Sequence, residues 1–268
     1  MFGTNGITGR VHFADMPEDA LLITSIFHTI QSEGPFAGTP SVFVRLTHCN
    51  LACSFCDTFF DKGDVMTFEQ IFQEAKKVYP STTNNRKELP LMVVTGGEPT
   101  LQRNLGKFLT LASLRGYRTQ IESNGVLAID QSPTFAWPDD AFLVVSPKVN
   151  ERTRKYLCPH PRTLMRAQAL KFLVSITDEG YRDLPDFAFE KGMPPVYISP
   201  MAVYNRTPTT YAKGNSIVER NLNERISIWE PGLFDLVKTR ANYEYAAKLA
   251  LMYDMQLSLQ MHLFASLP

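Results

Sequence analysis

Cysteine and tryptophan are scarce in this chain, with four cysteines and two tryptophans among 268 residues. Net charge is absent as well, because Lys plus Arg and Asp plus Glu each total 27. Without a basic field the chain carries no electrostatic signature of a nucleic-acid partner. No uninterrupted apolar run approaches the roughly 20 residues that a membrane helix needs. The opening Met1-Phe2-Gly3-Thr4-Asn5-Gly6 lacks the basic start and apolar core of a signal peptide. The few cysteines do not build the framework of a secreted disulfide protein, so the chain reads as soluble and cytoplasmic. Core material is plentiful. Hydrophobic residues make up 44% and 18 residues are phenylalanine, enough for one large α/β domain.

Short β-branched runs alternate with helical patterns. Candidate strands are Ser41–Leu46, Leu91–Thr95, Arg118–Glu122, Phe142–Ser146, Leu170–Ser175 and Val196–Ser199. Thr67 is placed to cap a helix whose Phe68, Ile71, Phe72, Ala75 and Val78 share a face. Leu105, Phe108, Leu109, Ala112 and Leu114 make a second helix, stopped by Gly116. A last helix runs from Leu233 to Tyr253 and leads to a strand-like segment from Gln256 to His262. This alternation predicts parallel strands joined by crossover helices. Two polar stretches, 149–162 and 203–229, read as surface insertions on a single domain spanning residues 23–268. Residues 1–22 precede it as an N-terminal extension.

Three of the four cysteines, Cys49, Cys53 and Cys56, fall within eight residues directly after the first strand. Three thiolates leave one coordination position open, which suits an iron–sulfur cluster that must also bind something else. Spacing alone leaves alternatives: a structural zinc with Cys158, His48 or His160 as fourth ligand, a redox pair at Cys53 and Cys56, or three unligated thiols. The other strand ends carry Thr95-Gly96-Gly97-Glu98-Pro99, Glu122-Ser123-Asn124-Gly125, Ser146-Pro147-Lys148 and Ser199-Pro200-Met201. Any one of these is explained equally well by a tight turn or a solvated side chain. Together, at the carboxyl ends of successive parallel strands, they converge on the face where active sites lie. Gly96 and Gly97 let the backbone come close to a ligand, and Glu98 is placed to accept from an ammonium group.

The Cys-x3-Cys-x-aromatic-Cys spacing, with Gly-Gly-Glu-Pro some way downstream, resembles the radical S-adenosylmethionine superfamily. The stretch Ser25 to Gly34, then Gly38-Thr39-Pro40, Phe43-Val44-Arg45-Leu46 and Cys56-Asp57-Thr58, is similar to the 7-carboxy-7-deazaguanine synthase family within it. Ser146-Pro147-Lys148, Lys171-Phe172 and the tail Gln260-Met261-His262 with terminal Pro268 fit the same family. The resemblance spans Ile23 to the C-terminus and implies a partial (βα)6 TIM-like barrel.

It also implies roles. Cys49, Cys53 and Cys56 hold a [4Fe–4S] cluster. Phe55, Asp57, Gly96, Gly97, Glu98, Glu122, Ser123, Asn124, Ser146, Pro147, Lys148 and Ser199, Pro200, Met201, Ala202 surround S-adenosylmethionine. Ile30, Gln31, Ser32, Glu33, Arg45, Thr95, His262 and the carboxylate of Pro268 surround a pterin substrate, with Glu33, Arg45 and Thr58 in the catalytic machinery. Thr58 ligates Mg2+. The implied reaction takes 6-carboxy-5,6,7,8-tetrahydropterin through a radical ring contraction that releases ammonia. The implied partners are that pterin, an electron donor such as a flavodoxin, and a second copy of the chain in a homodimer. Two positions depart from the family pattern: Ser32 stands where a glycine is usual, and Ser199 where glutamine is expected before proline. Two other readings compete, a radical activase of a partner protein and a zinc-stabilised binding protein without catalysis.

Overall fold

The computed structural model describes residues 16–79, 89–129, 137–205, 210–213, 216–219 and 226–268. Its first strand, β1 (Ala20–Ile30), was not among the six expected. Ala20 to Leu22, counted from sequence with the N-terminal extension, belong to it, and Leu21 is fully buried. The strand pairs antiparallel with β2 (Pro40–Leu46) on one side and with β3 (Asp64–Thr67) on the other. Thr67 ends β3 and caps α1 (Phe68–Val78), where its hydroxyl accepts from the Gln70 amide and the Gln70 side chain accepts in return from the Thr67 amide. That reciprocal pair satisfies two of the donors that every helix start leaves open.

The chain continues through β4 (Leu91–Gly96), α2 (Leu105–Leu114), β5 (Thr119–Ser123), β6 (Phe142–Val145), α3 (Pro161–Arg166), β7 (Ala169–Val174) and β8 (Val196–Pro200). A two-stranded hairpin, β9 (Thr210–Lys213) with β10 (Ser216–Glu219), precedes α4 (Leu236–Tyr253), β11 (Gln256–Leu257) and α5 (Met261–Ala265). The remainder of the 203–229 insertion lies partly outside the described residues, as do residues 1–15. In the main sheet the order is β11-β8-β7-β6-β5-β4-β2-β1-β3. All neighbours from β2 to β11 in that order run parallel, so the six expected strands do form one parallel array. The sheet is open, with β11 and β3 at its edges. This is the partial-barrel architecture.

Crossover helices are fewer than the alternation predicted. Among the described residues α1, α2 and α4 are full crossovers, α3 is six residues long, and β7 reaches β8 through 3-10 turns. The expected strand from Gln256 to His262 is only two residues long, and its second half is helical in α5. Alternation in so short a tail does not outweigh the local tertiary contacts. Phe68, Ile71, Phe72 and Ala75 of α1 are buried, as are Leu105, Phe108, Leu109 and Ala112 of α2. The Phe72 and Phe108 rings stack at 5.2 Å. Each buried phenylalanine contributes roughly 2–3 kcal/mol. Leu114, placed on the same face from sequence, is 78% exposed because α2 ends there, and Gly116 follows with φ +86°.

Replacing Thr67 with alanine removes the cap that starts α1. The expected loss is about 1 kcal/mol in urea unfolding, with the slope against denaturant unchanged.

Candidate active site

β2 delivers the chain through Thr47 and His48, where φ is +70°, into the cysteine loop. In register beside it, Arg45 pairs with Thr95 and Leu46 with Gly96. The glycines after β4 then pack on that loop. The Gly97 amide donates to the Leu46 carbonyl at 3.2 Å, and the Glu98 amide to the His48 carbonyl at 2.7 Å. A Cβ on Gly97 would run into the His48 carbonyl, and Gly96 sits at φ +141°. The close approach that demands glycine is therefore to the cysteine loop itself.

Glu98 is fully buried, and its role differs from the expected one. One carboxylate oxygen accepts from the Thr100 amide (3.0 Å), the Thr100 hydroxyl (2.7 Å) and the Ser123 hydroxyl (2.8 Å); the other accepts from the Asn124 amide (2.7 Å). Burial raises its pKa against the lowering effect of those donors. With four donors engaged it has little capacity left for an ammonium group. It ties the end of β4 to the end of β5, and Asn124 carries the link to the cysteine loop by donating to Asn50 at 2.7 Å.

These strand ends surround one open cavity of about 1080 Å³, counting the space at its mouth. Cys49, Cys53 and Cys56 line it, with Phe55, Asp57 and Thr58 beside them. Thr95 to Gly97, Glu122 to Asn124, Ser146, Lys148, Ser199, Met201 and Ala202 form the facing walls. All four strand-end motifs thus share a single space with the thiols. Pro147, Pro200 and Glu98 do not line it, nor do Ile30, Gln31, Ser32, Arg45, His262 and Pro268, although Glu33 does. Several of these join its edge through hydrogen bonds.

A buried charge cluster forms that edge. Lys171 of β7 contacts Glu33 at 2.6 Å and Glu122 at 3.7 Å. Ser199 donates to Glu33 at 3.1 Å, and Gln31 donates to Glu122 at 3.0 Å. Burial would raise the Glu33 pKa, yet the Lys171 ammonium outweighs it and holds the carboxyl below its ordinary value. Lys171 itself is raised despite its burial, by Glu122 and Glu33. Lys148 is pushed down by burial and by Lys171, and donates to the Ser146 hydroxyl at 2.5 Å. Ser32 and His262 Nδ1 lie 2.7 Å apart, and Thr29 donates to the Pro268 carbonyl at 3.2 Å. Burial lowers the His262 pKa against the pull of Glu33. Both positions that depart from the family pattern, Ser32 and Ser199, therefore bond to residues of the predicted substrate set.

Lys171 and Leu173, with Tyr204 and Gln260, line the cavity without having been assigned to the site from sequence. A lysine in the buried run Ala169–Val174 was the available signal, because a central parallel strand excludes a charge that has no partner.

The thiols fit an iron–sulfur cluster by donor type and by their common opening into the cavity. Among the described residues no trio of metal-ligating side chains is already gathered to one point. Cys49 accepts from the Leu51 amide at 3.4 Å, and Cys56 donates to the Thr58 carbonyl at 3.5 Å. Burial first, then neighbouring carboxylates and thiols, pushes Cys49 and Cys56 up to about 12. A bound cation would offset that cost and favour the thiolates. Of the candidate fourth ligands for zinc, the two histidines have partners of their own and the cysteine is a free thiol. His48 contacts the Thr47 hydroxyl at 2.5 Å, His160 accepts from the Arg162 amide at 3.3 Å, and Cys158 is exposed.

A three-thiol loop at the end of the first parallel strand, facing glycine-rich strand ends across one cavity, defines a radical S-adenosylmethionine enzyme. The Radical SAM superfamily model matches residues 44–133. A 7-carboxy-7-deazaguanine synthase of Rickettsia prowazekii is 32% identical over 248 residues, covering 91% of this chain and 87% of that protein. Another, from Hyperthermus butylicus, is 35% identical over 193 residues, covering 68% and 77%. The crystal structure of QueE from Escherichia coli shares the fold, with a TM-score of 0.59 and 19% identity over 90% of this chain and 93% of that one. The chain belongs to the 7-carboxy-7-deazaguanine synthase family.

Glu33→Gln leaves the Lys171 ammonium buried without its nearest partner. The expected cost near neutral pH is about 3 kcal/mol. Because the Glu33 pKa lies below the ordinary 4.5, its contribution is complete above that value and lost as pH falls through the lower folded value. The stability gap between wild type and variant, followed by urea unfolding against pH, should narrow on acidification. A gap independent of pH would contradict the ion-pair assignment.

Proposed function

We propose that the cavity converts 6-carboxy-5,6,7,8-tetrahydropterin to 7-carboxy-7-deazaguanine, with release of one ammonia. The observation that carries the reading is the meeting of the three-thiol loop and the Glu33–Lys171–Glu122 cluster on one cavity. Cys49, Cys53 and Cys56 would hold the [4Fe–4S] cluster. When bound, that cluster together with S-adenosylmethionine supplies one-electron cleavage to a 5′-deoxyadenosyl radical. The chain's own residues do the rest by binding, orientation and exclusion of water.

Gly97, Ser146, Lys148 and the segment Ser199 to Ala202 offer polar backbone and side-chain groups to S-adenosylmethionine, with Phe55 against its adenine. Arg45 has a buried Nε without a hydrogen-bond partner and stands over the Phe27 ring at 5.1 Å. Burial lowers its pKa, opposed by Asp57, Cys56 and Glu122. A substrate carboxylate would supply the missing acceptor and a charge-assisted bond. Glu33, kept ionised by Lys171, is an acceptor for pterin N–H groups. Thr58 and Asp57, whose side chains bond each other at 3.1 Å, present the hard oxygens that Mg2+ prefers. Leu51, Phe60 and Leu173 provide apolar wall.

The reading carries an electron donor of the flavodoxin type, for which exposed Ser54 in the cysteine loop leaves an approach. It also carries a homodimer, supported by exposed Leu251, Met252 and Leu257 near the free edge of β11. Four free cysteines suit the reducing cytoplasm. Among the described residues no helix is long and apolar enough to cross a membrane.

Anaerobic reconstitution with iron and sulfide, followed by turnover with the carboxypterin, S-adenosylmethionine, Mg2+ and a reductant, tests the proposal. Mass analysis should find a product lighter than substrate by one ammonia. A colourless protein with stoichiometric zinc would overturn it. Thr58→Ala should raise the Mg2+ concentration needed for half-maximal turnover, and an unchanged metal response would remove Thr58 from the Mg2+ site.

A further inference from the structure

The 149–162 insertion is built as a fixed piece. The Arg152 and Thr153 amides donate to Asn150 Oδ1 at 3.0 and 3.1 Å, and the Arg154 amide donates to the Asn150 carbonyl at 2.8 Å. Val149 bridges Tyr156 across the turn, and the Tyr156 hydroxyl donates to the Leu173 carbonyl at 2.9 Å. The root of the insertion is thus tied to β7.

Its tip reaches the cysteine loop. One oxygen of Glu151 accepts from both the amide and the hydroxyl of Ser54, at 2.8 and 2.9 Å. Ser54 sits in the turn that the Cys56 amide closes on the Cys53 carbonyl at 3.2 Å. The other Glu151 oxygen accepts from Arg154 at 3.0 Å, and Arg154 is also bonded to Asp178. Asp178 in turn accepts from the Gly180 amide at 3.0 Å. A Cβ on Gly180 would press on both Val149 and the Arg154 guanidinium. The next loop residue, Phe55, meets Tyr181 edge-on at 4.9 Å, and the Val149 amide donates to the Tyr181 hydroxyl at 3.1 Å.

From these contacts we infer that residues 149–156 are a strap over the cluster loop, with Glu151 as its positioning residue. The strap keeps the Cys53–Cys56 turn in the shape that receives an iron–sulfur cluster. The inference rests on the three cysteines being the cluster ligands. Exposed ion pairs on their own contribute little. Here the carboxylate accepts a backbone amide within the ligand turn and is itself braced from behind, as partners of metal ligands usually are.

The test uses full-length protein reconstituted anaerobically with iron and sulfide. Cluster loss on exposure to air is followed by visible absorbance, and the reduced cluster by electron paramagnetic resonance. Glu151→Ala should lose its cluster about tenfold faster than wild type and show a changed resonance signal, the lower end of the usual effect of removing such a partner. Glu151→Gln, which keeps an acceptor for Ser54, should restore most of the lifetime. Ser54→Ala combined with Glu151→Ala should be no worse than Glu151→Ala alone. A Glu151→Ala lifetime and spectrum equal to wild type, or effects of Ser54→Ala and Glu151→Ala that multiply, would overturn the strap. So would a Glu151→Gln protein as labile as Glu151→Ala. A wild-type protein that takes up no iron and sulfide would instead overturn the cluster reading beneath it.

Discussion

Glu98 is the constraint on which the site depends. A carboxylate buried completely in a protein is unfavourable unless donors surround it, and here four of them do. Those donors belong to the turn after β4 and to the end of β5, while the Glu98 amide reaches the cysteine loop after β2. Three consecutive parallel strand ends are locked together by one side chain and its backbone. Gly96 and Gly97 make the lock possible by letting backbone pass against backbone where no Cβ fits. The cavity wall that carries the thiols is therefore rigid on the β4–β5 side, and the strap brings a comparable brace to the opposite end of the loop.

Around this frame the site gathers more buried charge than a core normally holds. Glu33, Lys171 and Glu122 satisfy one another, whereas Lys148 and Arg45 are held below their ordinary pKa values mainly by burial. Groups of this kind persist where ligands complete them. Arg45 has a buried Nε without a hydrogen-bond partner, and burial pushes the Cys49 and Cys56 thiols up.

Much of the fold was legible because its central strands are buried on both faces and so read as continuous β-branched runs. The Thr67 cap and the Gly116 stop were equally plain, since each meets a backbone need with one specific residue type. β1 escaped because its polar residues come in adjacent pairs, Thr24-Ser25 and His28-Thr29, rather than alternating, and Ser25 and Thr29 are themselves buried. Leu114 followed helical spacing but lies in the last turn, where there is nothing left to pack against. Glu98 looked like a ligand because its neighbours are glycines, and only its four donors reveal a different duty.

The sequence by itself determined the ligand types, the spacing of the three cysteines and the polar motifs that end the strands, because these depend on neighbours a few residues apart. It also carried the parallel arrangement that sends those ends to one edge. The tertiary structure decided which groups pair across the cavity. Glu33 meets Lys171 across 138 positions and Ser32 meets His262 across 230, separations at which local pattern holds no information. Partners in a low-dielectric pocket are chosen by burial and charge together, and both arise only once the strand ends have come together.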